Sequence, residues 1–113
     1  MVNPAENTAF MVLSNHIYEY KKGVRNLVLY TLRREYVEDA VKRLSKLGID
    51  HVVQDISGKN ANIYFGRKEC IEVIKGFITR QLQELTPEED FILGALLGYD
   101  LRQECERYCE RKG

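Results

Sequence analysis

The spacing of apolar residues changes several times along the chain, and each change marks a predicted secondary-structure element. Residues 35–47 show the clearest pattern, because their apolar positions recur every three or four residues. These positions are Val37, Ala40, Val41, Leu44 and Leu47. Such spacing puts them on one stripe of a helix. Gly48 follows directly and supplies the left-handed turn that commonly ends a helix, so we predict a helix over this range.

Three shorter segments are rich in residues that favour strands, namely 26–32, 49–56 and 61–65. The first is apolar on both faces, so we expect it to be covered on both sides. A turn at residues 57–60 separates the other two, because serine, glycine and asparagine are typical turn residues. These two segments are therefore predicted to form an antiparallel hairpin.

A second helical stripe runs from residue 68 to about residue 85. Its predicted buried positions are Ile71, Ile74, Phe77, Ile78, Leu82 and Leu85. Gly76 lies inside this stripe, where glycine costs up to ~1 kcal/mol relative to alanine. That cost indicates a close approach by another backbone or an aromatic ring.

Two further helices are predicted at the C-terminus. Thr86, Pro87 and Glu89 have the spacing of a capping box with proline in the first turn, and Gly98 ends the helix that they begin. Asp100 opens the last helix. Its predicted buried residues are Leu101, Cys105 and Tyr108.

The order of these elements predicts an α+β fold. Residues 14–22 form a short helix ahead of the first strand, and residues 1–13 are expected to be a loosely ordered N-terminal tail. The sheet is three-stranded, antiparallel or mixed, with a β-α-β-β core and the third strand in the middle. A three-helix C-terminal extension covers its other face. Residues 14–113 then make a single domain, as expected for a chain of 113 residues.

The segment 91–98 is apolar almost all round, whereas a helix on the surface of a monomer keeps a polar face. The helix is either enclosed in the core or paired with another chain. A sheet of three strands offers little to enclose it, so we predict a two-fold homodimer. The predicted dimer interface consists of Phe91, Ile92, Leu93, Leu96 and Leu97.

Charge is balanced overall but not evenly distributed. Residues 1–80 hold 13 Lys and Arg against 9 Asp and Glu, whereas residues 81–113 hold 4 against 8. The basic part includes a predicted partner surface made of His16, Tyr18, Tyr20, Lys21, Lys22, Arg25, Arg33 and Arg34. An acidic protein would suit this surface. Alternatives are a nucleic-acid-binding module formed by residues 16–34 and ordinary packing of amphipathic side chains over the core. Zero net charge makes nucleic acid the less favoured partner.

Little in the sequence points to catalysis. Asp50 and His51 are adjacent, but no nucleophile accompanies them, and phosphate-binding glycine loops and zinc-protease motifs are absent. Cys105 and Cys109 lie one helical turn apart and would need a third ligand such as His16, His51 or Cys70 to hold zinc. We therefore predict neither a cofactor nor a metal, and we favour a protein that is not an enzyme. A small ligand-binding domain or enzyme with a histidine-containing pocket stays open as an alternative.

Three cysteines, an odd number, and the lack of a secretory leader indicate a reducing compartment, so we expect a cytoplasmic protein. No apolar run approaches the ~18 residues that a membrane-spanning helix requires.

Two runs, His16–Gly23 and Glu89–Asp100, resemble a small bacterial family of uncharacterised proteins that is described only as a domain of unknown function. The resemblance extends from about residue 14 to the end of the chain. It implies three strands, five helices and a homodimer. It also suggests an acidic partner such as flavodoxin. The family brings no assigned active site, so the resemblance assigns no role to any residue.

Overall fold

The computed structural model describes residues 3–56 and 58–113, which form five α-helices and one three-stranded sheet. The elements are α1 (Pro4–Lys21), β1 (Leu27–Arg33), α2 (Val37–Lys46), β2 (Asp50–Asp55), β3 (Asn60–Gly66), α3 (Lys68–Ile74), α4 (Pro87–Leu96) and α5 (Leu101–Lys112). Short 3₁₀ turns occupy Arg34–Tyr36 and Leu82–Glu84. Ser57, the first residue of the predicted hairpin turn, lies outside the described residues.

The sheet has the order β1-β3-β2, with β3 antiparallel to both neighbours. Tyr64 at its centre lies opposite Leu29 of β1 and Val52 of β2. The predicted α+β fold and the central position of the third strand are both confirmed. Because successive side chains of β3 point to opposite faces, this strand divides the interior into two separate clusters.

The first cluster lies between the sheet and the helices α1 and α2. Its buried members are Leu13, Ile17, Val28, Leu32, Tyr36, Ala40, Leu44, Ile49, Ile63 and Phe65. The second cluster lies on the opposite face, under α3, α4 and the segment between them. It consists of Leu27, Tyr64, Cys70, Ile71, Ile74, Phe77, Ile78, Leu85, Leu93 and Leu97. Strand β1 contributes to both clusters, so it is covered on both faces as predicted.

The first helix is longer than the sequence predicted. It begins at Pro4, where the side chain of Asn3 accepts a hydrogen bond of 2.7 Å from the backbone N–H of Glu6. Residues 4–13, expected to be a loose tail, are thus the first ten residues of α1, and Leu13 is fully buried. Polar residues within this stretch interrupt the helical spacing of its apolar residues. The sequence pattern alone therefore did not predict a helix there.

The predicted helix over residues 68–85 is wrong in length, because α3 ends at Ile74. Beyond it, the carbonyls of Ile78 and Arg80 accept hydrogen bonds from the Gln54 side chain. The expected close approach at Gly76 is also wrong, since a β-carbon there would meet only the Val73 carbonyl at 3.5 Å. Most of the predicted apolar stripe is nevertheless buried, but from a turn-rich segment rather than from a helix.

The C-terminal helices begin where the sequence predicted. Thr86 Oγ1 accepts from the Glu89 N–H at 3.1 Å, and Glu89 Oε1 accepts from the Thr86 N–H at 2.9 Å, which is the predicted capping box. Asp100 caps α5. The predicted burial along α5 is wrong, however, because Leu101 and Cys105 are exposed and Tyr108 is only half-buried. Leu47, at the end of the α2 stripe, is exposed as well.

In the part of the chain that the structure describes, no helix combines the length and apolar character needed to cross a membrane.

Candidate interaction surface

Helices α4 and α5 form an antiparallel pair held together by charged side chains along one edge. Arg107 donates to both carboxylate oxygens of Asp90, at 2.7 and 3.3 Å. Lys112 Nζ donates to Glu88 Oε1 at 2.9 Å, and Arg111 donates to the Leu85 carbonyl at 2.8 Å. These contacts attach the second half of α5 to the beginning of α4 and to Leu85 just before it. Helix α5 is therefore fixed in place although none of its residues is fully buried.

An apolar groove of about 440 Å³ lies between the two helices on the solvent side. The α4–α5 groove is lined by Glu88, Phe91, Ile92, Cys105, Tyr108 and Cys109. The rings of Phe91 and Tyr108 meet edge to face, with centroids 5.9 Å apart. Ile92 is 40% exposed, and Leu101, the first residue of α5, is 59% exposed. Of the described residues that line the groove, Glu88 alone is charged, and Lys112 pairs with it.

One stripe of side chains on each helix lines the groove, and Leu101 continues the α5 stripe beyond it. Leu101, Cys105, Tyr108 and Cys109 fall at positions i, i+4, i+7 and i+8 of α5, the spacing that normally faces a core. On α4, Glu88, Phe91 and Ile92 have the corresponding spacing i, i+3 and i+4. The pattern on α5 predicted burial, which is wrong for Leu101 and Cys105 within this chain. The core of the same chain does not provide it.

Helical geometry divides the five residues predicted for the dimer interface between two faces of α4. Leu93 and Leu97 lie one turn apart and are buried in the core cluster within the chain, so little of either side chain is exposed to another chain. Leu96 is half-buried and packs on the same cluster. Phe91 and Ile92 are the two that line the groove.

The predicted basic and aromatic partner surface is divided as well. Lys21, Lys22 and Arg25 precede β1, whereas Arg33 and Arg34 follow Leu27, the start of that strand, by six and seven residues, or about 20 Å at ~3.3 Å per residue. The two groups therefore lie at opposite ends of β1 and do not form one patch.

Local contacts differ between these two groups. Lys22 Nζ lies 5.4 Å from the ring centroid of Tyr18, which is exposed, and Tyr20 packs edge-on against Phe65. Arg33 pairs with Glu35. Arg34 donates to the carbonyls of Ile56 and Gly58 and lies 3.4 Å from Asp55, so it holds the β2–β3 turn.

His16 is half-buried between α1 and β1, where its ring centroid lies 5.4 Å from that of Tyr30. Its Nδ1 is buried and has no hydrogen-bond partner among the described residues. Burial, with a smaller effect from Arg25, lowers the pKa of His16 below 6.5, and Glu19 opposes the shift. Tyr30 donates its hydroxyl to the Ala9 carbonyl at 2.9 Å, which ties α1 to the sheet beside this ring.

Because of His16, we expect the free energy of unfolding to decrease as the pH is lowered. Its pKa in the folded chain lies below the 6.5 of the unfolded chain, so the unfolded state binds the proton first as the pH drops. The free energy of unfolding should therefore decline from about pH 6.5 downward. Urea titrations between pH 5.5 and 8 measure it, and His16→Phe, which keeps a ring against Tyr30, should flatten the decline. An identical pH dependence in the variant would contradict the assignment.

The other candidate chemical groups do not converge. His51 Nδ1 lies 2.9 Å from the Ile49 carbonyl, and Cys70 is buried, which raises the pKa of its thiol. Cys105 and Cys109 are exposed in the groove. Within residues 3–56 and 58–113 there is no group of three or more His, Cys, Asp or Glu residues arranged to hold a metal ion.

Sequence reasoning missed a buried polar network on the α3 and α4 face of the sheet. Gln54 Oε1 accepts from Tyr64 Oη at 2.8 Å and from Asn62 Nδ2 at 3.0 Å. Thr31 Oγ1 donates to Asn62 Oδ1 at 2.6 Å. Burial raises the pKa of Tyr64 to about 12. The available signal was the occurrence of glutamine and asparagine in the middle of two strands.

The fold and these surfaces define a small α+β protein with a C-terminal helical pair that presents an apolar groove. The chain belongs to the family described as "Protein of unknown function (DUF2023)", whose sequence profile matches residues 11–111. This match confirms the expected membership in a family of unknown function. None of the curated proteins compared with the chain matches it.

Proposed function

We propose that the protein is an interaction or accessory protein that works as a homodimer, with the α4–α5 groove as the contact between copies. The observation that carries this proposal is the groove itself. Two stripes with core spacing, on two helices, leave Ile92, Leu101 and the two groove thiols in contact with solvent. Contiguous apolar surface of this kind is typical of interfaces.

The shape of the surface suits a second copy of the chain. Two antiparallel helical pairs related by a two-fold axis would stack their grooves into a four-helix arrangement. Phe91 and Tyr108 would then supply aromatic anchors near the centre, where such residues contribute most. A stable interface buries at least about 600 Å² on each partner, roughly a tenth of the chain's 7289 Å² surface.

The dimer can be tested by changing Ile92 to lysine. The new ammonium group would be forced into the apolar contact, and we expect dimer affinity to fall at least about 100-fold, as for a central interface residue. The helix itself should be unharmed, because Glu88 one turn earlier favours a lysine at this position. Sedimentation velocity over a range of concentrations measures the effect.

Val73→Lys is the matched control, because Val73 is 48% exposed on α3, outside the groove. It should leave the dimer intact. Charged substitutions at Leu93 or Leu97 are not suitable, since these side chains belong to the core and their loss would unfold the chain. A wild-type chain that sediments as a monomer at about 100 μM, or an Ile92→Lys variant that stays dimeric, would refute the proposal.

For the partner we propose an acidic protein, of which flavodoxin is one example, at the group formed by Lys21, Lys22 and Arg25. Lys21 and Lys22 are exposed, and neither forms an ion pair among the described residues. Association should therefore be electrostatic and weaken steeply with salt. Titration of an acidic partner at 20 and 300 mM salt tests this, with RNA and single-stranded DNA in parallel. Salt-dependent binding of nucleic acid alone would favour the nucleic-acid module instead.

A further inference from the structure

A second cavity lies on the other side of the α4–α5 pair from the groove, between these helices and β1. Its volume is about 400 Å³, within the range of small-molecule sites. Five leucines form its apolar floor, namely Leu29, Leu82, Leu85, Leu93 and Leu97, and Glu104 also lines it. We call this space the Glu104 cavity. Strand β1, the 3₁₀ turn at Leu82–Glu84 and helices α4 and α5 meet there, so its shape is determined by tertiary packing.

Glu104 occupies its position because Gly94 lacks a side chain. A β-carbon built on Gly94 would approach the Glu104 carboxyl carbon to 2.5 Å, far inside van der Waals contact. A glycine in the middle of a helix costs about 1 kcal/mol relative to alanine. Here the missing side chain makes room for a carboxylate against the α4 backbone, in the lining of a cavity with a leucine floor.

The charges around the cavity leave this carboxylate without a close partner. Asp90 also lines the cavity, but it accepts two hydrogen bonds from Arg107 and lies 3.6 Å from Arg111. Arg107 attracts Glu104 only at longer range, and this attraction is a minor cause of the raised pKa of Arg107. Among the described residues, the Glu104 carboxylate forms no hydrogen bond or ion pair. The lining thus holds two carboxylates against one guanidinium.

We infer that the Glu104 cavity binds a small organic cation, namely a primary amine with a short aliphatic chain. The ammonium group pairs with Glu104, and the chain lies on the leucine floor. Both halves of such a ligand match a surface that is present: an unpaired negative charge and an adjacent apolar wall. An aliphatic acid or alcohol of the same length lacks the first interaction.

Binding is tested on the full chain with three probes of equal length: hexylammonium, hexanol and hexanoate. Shifts of the leucine methyl signals in NMR titrations report the affinity and the location. We expect hexylammonium to bind with a dissociation constant near 1 mM, the order for a ligand of seven non-hydrogen atoms. It should bind at least tenfold more tightly than either of the other probes.

Variants assign the effect to the carboxylate. Glu104→Gln should lower the affinity for hexylammonium at least tenfold, to about that for hexanol. Gly94→Ala, which displaces the carboxylate, should do the same. Glu106→Gln, on the same helix and paired with Arg102, should change nothing. Equal affinity for the three probes, no binding of hexylammonium at 10 mM, or an unaltered preference in Glu104→Gln would overturn the inference.

The groove and the cavity lie on different sides of the helical pair, so their tests are independent. Sedimentation of the same samples reports the dimer separately. A monomeric chain that still prefers hexylammonium would refute the dimer and leave the amine site standing.

Discussion

Replacing Gly66 with alanine is expected to lower the free energy of unfolding by about 4 kcal/mol or more, at the upper end of what single substitutions do. Gly66 ends the central strand with φ of +154°, a value that residues with a side chain rarely adopt. A β-carbon there would lie 2.9 Å from the Leu27 α-carbon and closer still to the Asn26 carbonyl oxygen.

This clash cannot be relieved cheaply, because both obstructing atoms belong to backbone. The Asn26 carbonyl accepts a hydrogen bond of 2.9 Å from the Arg67 N–H, and Leu27 begins the β1 register opposite Gly66. Moving them away would disturb the pairing of β1 with β3 at its first residue. Urea denaturation followed by circular dichroism gives the change in unfolding free energy.

Gly76→Ala is the control for a glycine that has room. A β-carbon there meets only one atom, at an ordinary 3.5 Å, and φ is not positive. Restricting the unfolded chain should then leave stability unchanged or raise it by up to about 1 kcal/mol. A Gly66→Ala variant as stable as this control would show that the end of β3 can rearrange.

The second large effect is expected for Gln54→Leu, which should destabilise the chain by about 3–5 kcal/mol. Leucine fills a similar volume but leaves four groups without their partner: the carbonyls of Ile78 and Arg80 and the donors of Asn62 and Tyr64. Each unsatisfied buried group costs about 1–3 kcal/mol, although some recover part of it through water. Urea denaturation again measures the loss.

Tyr64→Phe is the matched control within the same network. It removes one donor, while Gln54 Oε1 keeps the hydrogen bond from Asn62, so the expected cost is only about 1 kcal/mol. The difference in unfolding free energy between the two variants measures how much the Gln54 side-chain amide contributes to holding the segment after α3. If Gln54→Leu costs no more than Tyr64→Phe, the carbonyls of Ile78 and Arg80 do not depend on Gln54.

Gln54 also explains why one helix prediction failed while its neighbours were correct. The start of α4 depends on Thr86 and Glu89, which are three residues apart, so the local sequence contains the whole signal. The end of α3 depends on an amide 24 residues away from Ile78 in the sequence. No local pattern records that interaction, and the apolar spacing of residues 68–85 alone suits one long helix.

The candidate sites likewise combine features that the local sequence predicts with features that depend on contacts between distant residues. The apolar positions of α5 could be found by their period, and Phe91 and Ile92 were predicted for a dimer interface together with Leu93, Leu96 and Leu97. Which stripe faces the core was not predictable, because Leu93 and Leu97 differ from Phe91 and Ile92 only in their angle around the helix. Nothing in the sequence indicated the Glu104 cavity. Gly94 and Glu104 are ten residues apart and come into contact only when α5 folds back on α4.

The sequence by itself determined the local features of this protein: the strands, the caps of α4 and α5, the turn at Gly48 and the antiparallel hairpin. Periodicity and capping act over a few residues, so they are visible in one dimension. The tertiary structure alone decided the length of α1, the break after Ile74 and the exposure of α5. These depend on which surfaces meet, and burial and hydrogen-bond partners across the fold are settled only when the whole chain packs.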